Sequence, residues 1–328
     1  MQEDVVIGHD HPRRHSDMDK FSRGLAKSLN ARYVNVELKT FPDNEVRPTL
    51  KIKSKGQIEG KNVLLVSRTN RYEPRPNDAI IELGLTVNNL VDMKAGSIDV
   101  VMPYMFYARQ DKAFLKGEPA SLSYIAKLYQ TWTGDVDNLI TMNSHLYGKP
   151  RDLGQVFSKL KIHKPKVHDL SCSGLFAEYF RKKELKDPVI ITPGAKELAE
   201  ELSEKMGIPY ENLKKPRDRS TGEITMEAPK TDLEGKRVIL LDDVSASGGT
   251  IMRAYGHVRR AGGIVTVALP HFMTWEGIGS VYELVKIGEM GKVVTTDSLD
   301  SYTSSGGFLD CFEELSTVPL FSDYIRKL

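Results

Sequence analysis

Short β-branched and aliphatic runs alternate with amphipathic stretches along nearly the whole chain, the pattern of parallel strands covered by helices. Eight runs predict strands: VVIG (5–8), NVLLVS (62–67), IDVVMP (98–103), NLITM (138–142), VIIT (189–192), RVILL (237–241), IVTVAL (264–269) and KVVTT (292–296). Leu198, Leu202 and Met206 recur every four residues, and Ile251, Ala254, Tyr255 and Val258 share one face of a further helix. The stretch 149–172 mixes Pro, Gly and charge with little period, so the junction between two domains is placed there, at 1–155 and 156–328. A length of 328 residues suits two α/β domains of about 150 residues each.

Composition narrows the class. The chain is 40% hydrophobic and 27% charged, and no apolar run approaches the roughly 18 residues a membrane span needs, so it reads as soluble with no membrane partner. A balance of 46 basic against 44 acidic residues gives no electrostatic case for nucleic acid. Cys172 and Cys311 lie far apart without a C-x-x-C and read as two buried thiols. No apolar segment follows the first charges, which makes the cytoplasm the expected compartment. GHDHPRRH (8–15) holds three His without helical spacing and reads as a strand-to-helix loop, not a metal site.

The most informative segment is VILLDDVSASGGT, 238–250. A buried strand ends in Asp242 and Asp243, and Ser245, Ala246, Ser247, Gly248 and Gly249 lead into a helix starting near Thr250. Small residues let the backbone curl so that N–H groups and the helix N-terminus converge on a phosphate. Two adjacent carboxylates repel phosphate but accept well from the vicinal hydroxyls of a ribose. Phosphate on the amides and sugar on the acids describes ribose 5-phosphate. The chain has no G-x-x-x-x-G-K-[ST], so ATP, if bound, does not use a P-loop.

This run resembles the phosphoribosyl-diphosphate motif shared by type I phosphoribosyltransferases and ribose-phosphate pyrophosphokinases. PYMFYARQDKAFLKGEPAS (103–121) is similar to the P-F-x-Y-A-R-Q-D-K stretch found in the pyrophosphokinases and not in the transferases. FPDNE (41–45), PNDAIIEL (76–83), KKPRDRSTGEITM (214–226) and VVTTDSL (293–299) follow in the family's order. The resemblance implies an α/β chain of two phosphoribosyltransferase-like domains, each a mainly parallel sheet flanked by helices, with ATP on the N-terminal one. It implies that Phe41 stacks on adenine while Asp43 and Glu45 read its edge, and that Arg109 and Gln110 contact ATP, with Asp111 nearby. It gives Lys215 and Arg217 the catalytic cations, Lys214 and Arg219 being alternative registers, and makes Asn77 or Asp78 a helix cap.

Two elements depart from the family. Its D-x-H metal element reads Asn143, Ser144, His145 here, which leaves His145 to coordinate Mg²⁺ or to meet the ATP phosphates. In TPGAKELAEEL (192–202) the loop looks shortened, with Gly194 at the position of an Asp. The implied activity is transfer of the diphosphoryl group of Mg-ATP to the anomeric hydroxyl of ribose 5-phosphate, by a homo-oligomer built from dimers, commonly a hexamer. The two departures motivate one alternative, a non-catalytic regulatory paralogue. A phosphoribosyltransferase is the other, and it leaves YARQD and FPDNE without purpose.

Overall fold

The computed structural model describes residues 3–10, 18–69, 76–113, 115–132, 135–150, 152–214, 225–245, 247–273, 292–299 and 312–328. The chain forms two compact units, the first running to Leu170 and regaining the segment from Asp297 and Ser316–Leu328, the second starting at Ser171. The division therefore lies at Leu170, not at 155, and the C-terminus returns to the first unit.

In the first unit the strands β1 (Val5–Asp10), β2 (Arg32–Thr40), β3 (Val46–Leu50), β4 (Asn62–Val66), β5 (Ser97–Val101), β6 (Asn138–Met142) and β7 (Lys166–Leu170) make one seven-stranded sheet. Its order is β3-β2-β1-β4-β5-β6-β7, parallel except where β3 runs antiparallel to β2. Helices α1 (Met18–Leu29), α2 (Pro76–Asp92), α3 (Ser121–Trp132) and α4 (Leu153–Lys159) connect the strands. Central strands such as NVLLV are continuous apolar runs because both faces are covered. Asn77 lies inside α2 and accepts the Tyr107 hydroxyl, so it is not the cap expected of it.

Strand β7 went unread because KVHDL has polar residues where a core strand has apolar ones. His168 and Asp169 find partners far away in sequence. His168 Nε2 donates to Asn138 Oδ1 at 2.8 Å, which leaves Nδ1 to accept the Tyr324 hydroxyl at 2.8 Å. The C-terminal helix (Val318–Ile325) also sets Phe321 edge-on to Phe21, 5.8 Å between centroids. Asp297 holds the start of that helix by accepting from the Thr317 amide at 2.7 Å. Arg68 Nη2 donates to the carbonyls of Asp297 and Leu299.

In the second unit α5 (Ser173–Arg181) opens on Cys172, a buried thiol as expected, while Cys311 is outside the described residues. Strands β8 (Pro188–Thr192), β9 (Tyr210–Asn212), β10 (Arg237–Leu241), β12 (Ile264–Leu269), β14 (Val293–Thr296) and β15 (Phe312–Leu315) form a parallel sheet ordered β15-β14-β12-β10-β8-β9. A short ribbon pairs β11 (Val244–Ser245) with β13 (His271–Phe272). Helix α6 (Lys196–Met206) buries Leu198 and Leu202 and stops at Gly207, whose φ of 68° is open to glycine. Helix α7 (Gly249–Arg260) buries Ile251, Ala254, Tyr255 and Val258, the face read from the sequence.

Candidate active site

Strand β10 is apolar to its last residue, and the chain turns polar at its carboxyl end, where open α/β sheets bind ligands. Asp242 is buried there and Asp243 half-buried. Asp243 Oδ1 accepts from the Val244 amide at 2.9 Å, and the Asp243 and Ser245 carbonyls accept from His271 and Met273 at 3.2 and 2.9 Å. The loop entrance is thus pinned at residues 243–245. Gly248 takes φ 76°, ψ −16° at the head of α7, a left-handed conformation that glycine adopts without strain, and its carbonyl accepts from the Met252 amide at 2.9 Å. The first-turn amides of α7 then point out of the helix toward the loop. Ser245 Oγ is buried with no hydrogen-bond partner among the described residues. A buried hydroxyl left so costs about 1–3 kcal/mol, which a bound oxyanion would recover.

Ser247 is exposed beside this loop and Thr250 half-exposed; Ala246 lies outside the described residues. Arg253 belongs with them, although no motif pointed to it. A Cβ built on Gly249 would lie 3.7 Å from Ser247 Oγ and 4.0 Å from Arg253 Nη1, so an exposed guanidinium reaches back over the first turn of α7. One helical turn past the glycines is beyond what a loop motif covers.

The 192–196 loop is closed on itself. Thr192 Oγ1, fully buried, accepts from the amides of Gly194 and Ala195 at 3.3 and 2.9 Å, so these two N–H groups are not offered to an anion. Lys215 and Arg217 fall outside the described residues, as does the alternative Arg219.

In the first unit FPDNE forms the turn of the β2–β3 hairpin. The Phe41 amide donates to the Glu45 carbonyl at 2.8 Å, Asn44 takes φ 69°, and Asp43 Oδ1 accepts from the Glu45 amide at 3.1 Å. Phe41 is half-buried, with Lys39 Nζ and Arg47 Cζ 5.4 and 5.5 Å from its ring centroid, and Asp43 and Glu45 are exposed. After β5, buried Met105, Phe106 and Ala108 anchor a turn at Tyr107, φ 61°, which presents Arg109 and Gln110 to solvent.

Strand β6 is followed by Asn143, at φ 38°, then Ser144 and half-buried His145. Asn is among the side chains that tolerate this conformation. The Asp169 carboxylate of β7 accepts from the Ser144 amide at 3.1 Å and from its hydroxyl at 2.6 Å. Burial pushes the Asp169 carboxyl up to about 6, partly offset by the two bonds from Ser144. Sequence reasoning passed over Asp169 because it sits in the stretch taken for a junction.

Strands β5 and β6 are neighbours in a parallel sheet, which brings the Arg109–Gln110 and Asn143–His145 turns side by side on its carboxyl edge. The Phe41 turn follows β2 on the same edge, three strands from β5 and so about 14 Å along the sheet at ~4.8 Å per strand. Among the described residues no three His, Cys, Asp or Glu gather to hold a metal. The Asn143–His145 turn offers one imidazole and a neutral amide where Mg²⁺ favours carboxylate oxygens, so these donors do not fit a resident Mg²⁺ site.

Comparison with known proteins places the chain in a family. Residues 14–132 match the family model of the N-terminal domain of ribose phosphate pyrophosphokinase, and residues 163–272 match that of the phosphoribosyl transferase domain. The ribose-phosphate pyrophosphokinase of Saccharolobus solfataricus is 34% identical over 70% of this chain and 73% of its own. That of Methanothermobacter thermautotrophicus is 30% identical over 95% of this chain and 98% of its own. The crystal structure of phosphoribosylpyrophosphate synthetase from Mycobacterium smegmatis, 21% identical, shares the fold with a TM-score of 0.79, covering 99% of this chain and 98% of that one. A hairpin turn bearing Phe41, a YARQD turn beside an N-S-H turn, and a DD-to-GGT loop thus occur together in a chain that belongs to the ribose-phosphate pyrophosphokinase family.

Proposed function

We propose that the chain performs the reaction of its family, transferring the diphosphoryl group of Mg-ATP to the anomeric hydroxyl of ribose 5-phosphate, with the following division of labour. Asp242 and Asp243 accept from the ribose hydroxyls. The loop Ser245, Ala246, Ser247, Gly248, Gly249 and Thr250 takes the 5-phosphate on its amides and hydroxyls, with Arg253 adding charge from α7. Phe41 supplies an aromatic face for adenine, with Asp43 and Glu45 at its rim. Arg109, Gln110 and His145 meet the ATP phosphates. Mg²⁺ enters as part of the Mg-ATP substrate.

In this reading the sugar oxygen attacks the β-phosphorus in line, the bond from β-phosphorus to the α,β-bridging oxygen breaks, and AMP leaves. Lys215 and Arg217 neutralise charge that spreads onto the transferring oxygens, and most of the rate comes from positioning and electrostatics. The enzyme works in the cytoplasm as a homo-oligomer built from dimers, up to a hexamer; among the described residues no helix is long and apolar enough to cross a membrane.

The observation that carries the proposal is the buried Ser245 hydroxyl, without a hydrogen-bond partner among the described residues, just after the Asp242–Asp243 pair. The test is AMP release from ATP, Mg²⁺ and ribose 5-phosphate, with Asp242→Ala as control. Turnover that needs the sugar and falls at least a hundredfold in the control supports the assignment. Equal AMP release with and without the sugar, or in both proteins, refutes it.

A further inference from the structure

Ser144, 3% exposed, is held at both its polar groups by one carboxylate from the neighbouring strand, its amide on Asp169 Oδ1 and its hydroxyl on Oδ2. The hydroxyl oxygen in turn accepts from the Leu146 amide at 3.3 Å. The Asn143 amide donates to the Leu170 carbonyl at 2.9 Å. Residues 143, 144 and 146 are therefore fixed in succession, and half-buried His145 is carried between them.

We infer that Asp169 is a positioning residue for the nucleotide side of the reaction, a buried carboxylate acting through Ser144 to fix the direction in which the turn presents His145. The inference rests on the reading that this turn meets the ATP phosphates. It also changes the meaning of Asn143: the turn is supplied with a negative charge, one strand over and one hydrogen bond away from where the sequence lacks it. Both Asp169 oxygens bond Ser144, so the carboxylate acts on the turn through that residue.

Folding alone does not explain a carboxylate at this place. Among the described residues Asp169 has no ion-pair partner; an ion buried without a counter-charge costs stability, and a neutral side chain of the same shape is commonly better tolerated. Asp169→Asn keeps an oxygen for the Ser144 amide but gives the hydroxyl an N–H group instead of an acceptor. The hydroxyl proton then has lost its charged partner, and the turn its fixed direction. Loss of an outer partner that orients a ligand typically costs about 10–100-fold in affinity or activity.

The experiment compares the full-length wild type with Asp169→Asn, Ser144→Ala and His145→Ala in steady-state kinetics and thermal unfolding. For Asp169→Asn the expected result is a KM for Mg-ATP raised roughly tenfold, an unaltered KM for ribose 5-phosphate, and a melting temperature at or above that of the wild type. Ser144→Ala should shift the same constant in the same direction, and it decides the matter if Asp169→Asn does not fold. A purely structural role would lower the melting temperature and leave KM for Mg-ATP unchanged, and that result overturns the inference. If His145→Ala also leaves that KM unchanged, the nucleotide reading of the turn falls and the inference falls with it. If His145→Ala raises it while Asp169→Asn and Ser144→Ala do not, the inference alone is overturned.

Discussion

Glu3 and Asp99 form a buried carboxyl pair in the first unit, and replacing Glu3 by Gln separates its cost from its contacts. Asp99 Oδ1 accepts from the Asn138 amide at 3.0 Å and from its side-chain amide at 2.8 Å, which makes Asp99 the charged member. Glu3, 4% exposed, carries the proton: burial first, then the nearby Asp99 charge, pushes its carboxyl from 4.5 up to about 8. A carboxyl whose value rises on folding contributes most stability below its unfolded value, and that contribution is lost as pH rises through the folded one. From pH 4.5 to pH 7 lie two and a half decades of proton concentration, on the order of 3 kcal/mol at about 1.4 kcal/mol per decade. Gln is neutral throughout and keeps a donor for Asp99. Urea unfolding of Glu3→Gln should therefore show a gain of about 3 kcal/mol at pH 7 and less than about 1 kcal/mol at pH 5. A variant equally displaced at both pH values, or less stable at pH 7, would refute the assignment of the proton to Glu3.

Three further outcomes follow from the second unit. Ser245→Ala removes an unpartnered buried hydroxyl, so the ligand-free protein should unfold at higher temperature while affinity for ribose 5-phosphate by calorimetry drops about tenfold. Arg253→Ala should raise KM for ribose 5-phosphate about fivefold, the size of one exposed charged contact near 1 kcal/mol, with KM for Mg-ATP unmoved. Lys215→Ala and Arg217→Ala should each lower kcat about a hundredfold or more with small changes in either KM, as expected of groups that act on the transferring charge; an effect confined to KM would remove them from the chemistry.

What the sequence made legible and what it hid divide along physical lines. Strand β10 was readable because burial on both faces leaves a continuous apolar run, and the buried face of α7 because burial on one side of a helix imposes its period on the chain. The YARQD, FPDNE and DD-to-GGT elements were readable because each compresses its chemistry into a few consecutive residues. Strand β7 was hidden, since the groups that make His168 and Asp169 tolerable, Tyr324, Asn138 and Ser144, are distant along the chain. With β7 hidden, the junction placed within 149–172 was cut at 155 instead of at Leu170, and Asp169 was passed over. The return of the C-terminal helix to the first unit rests on Phe21 meeting Phe321 and on Asp297 holding Thr317, pairings with no local signature. Arg253 reaches its loop by helical geometry, one turn after the motif ends.

Position-resolved phosphorus analysis of the products tests the central claim most directly. With ATP labelled at the β-phosphorus, Mg²⁺ and ribose 5-phosphate, the account expects AMP and phosphoribosyl diphosphate in equal amounts, with all of the label on the sugar product. Label retained in ADP, which would mean transfer of the γ-phosphoryl group alone, or label released as free diphosphate without a sugar product, would contradict it.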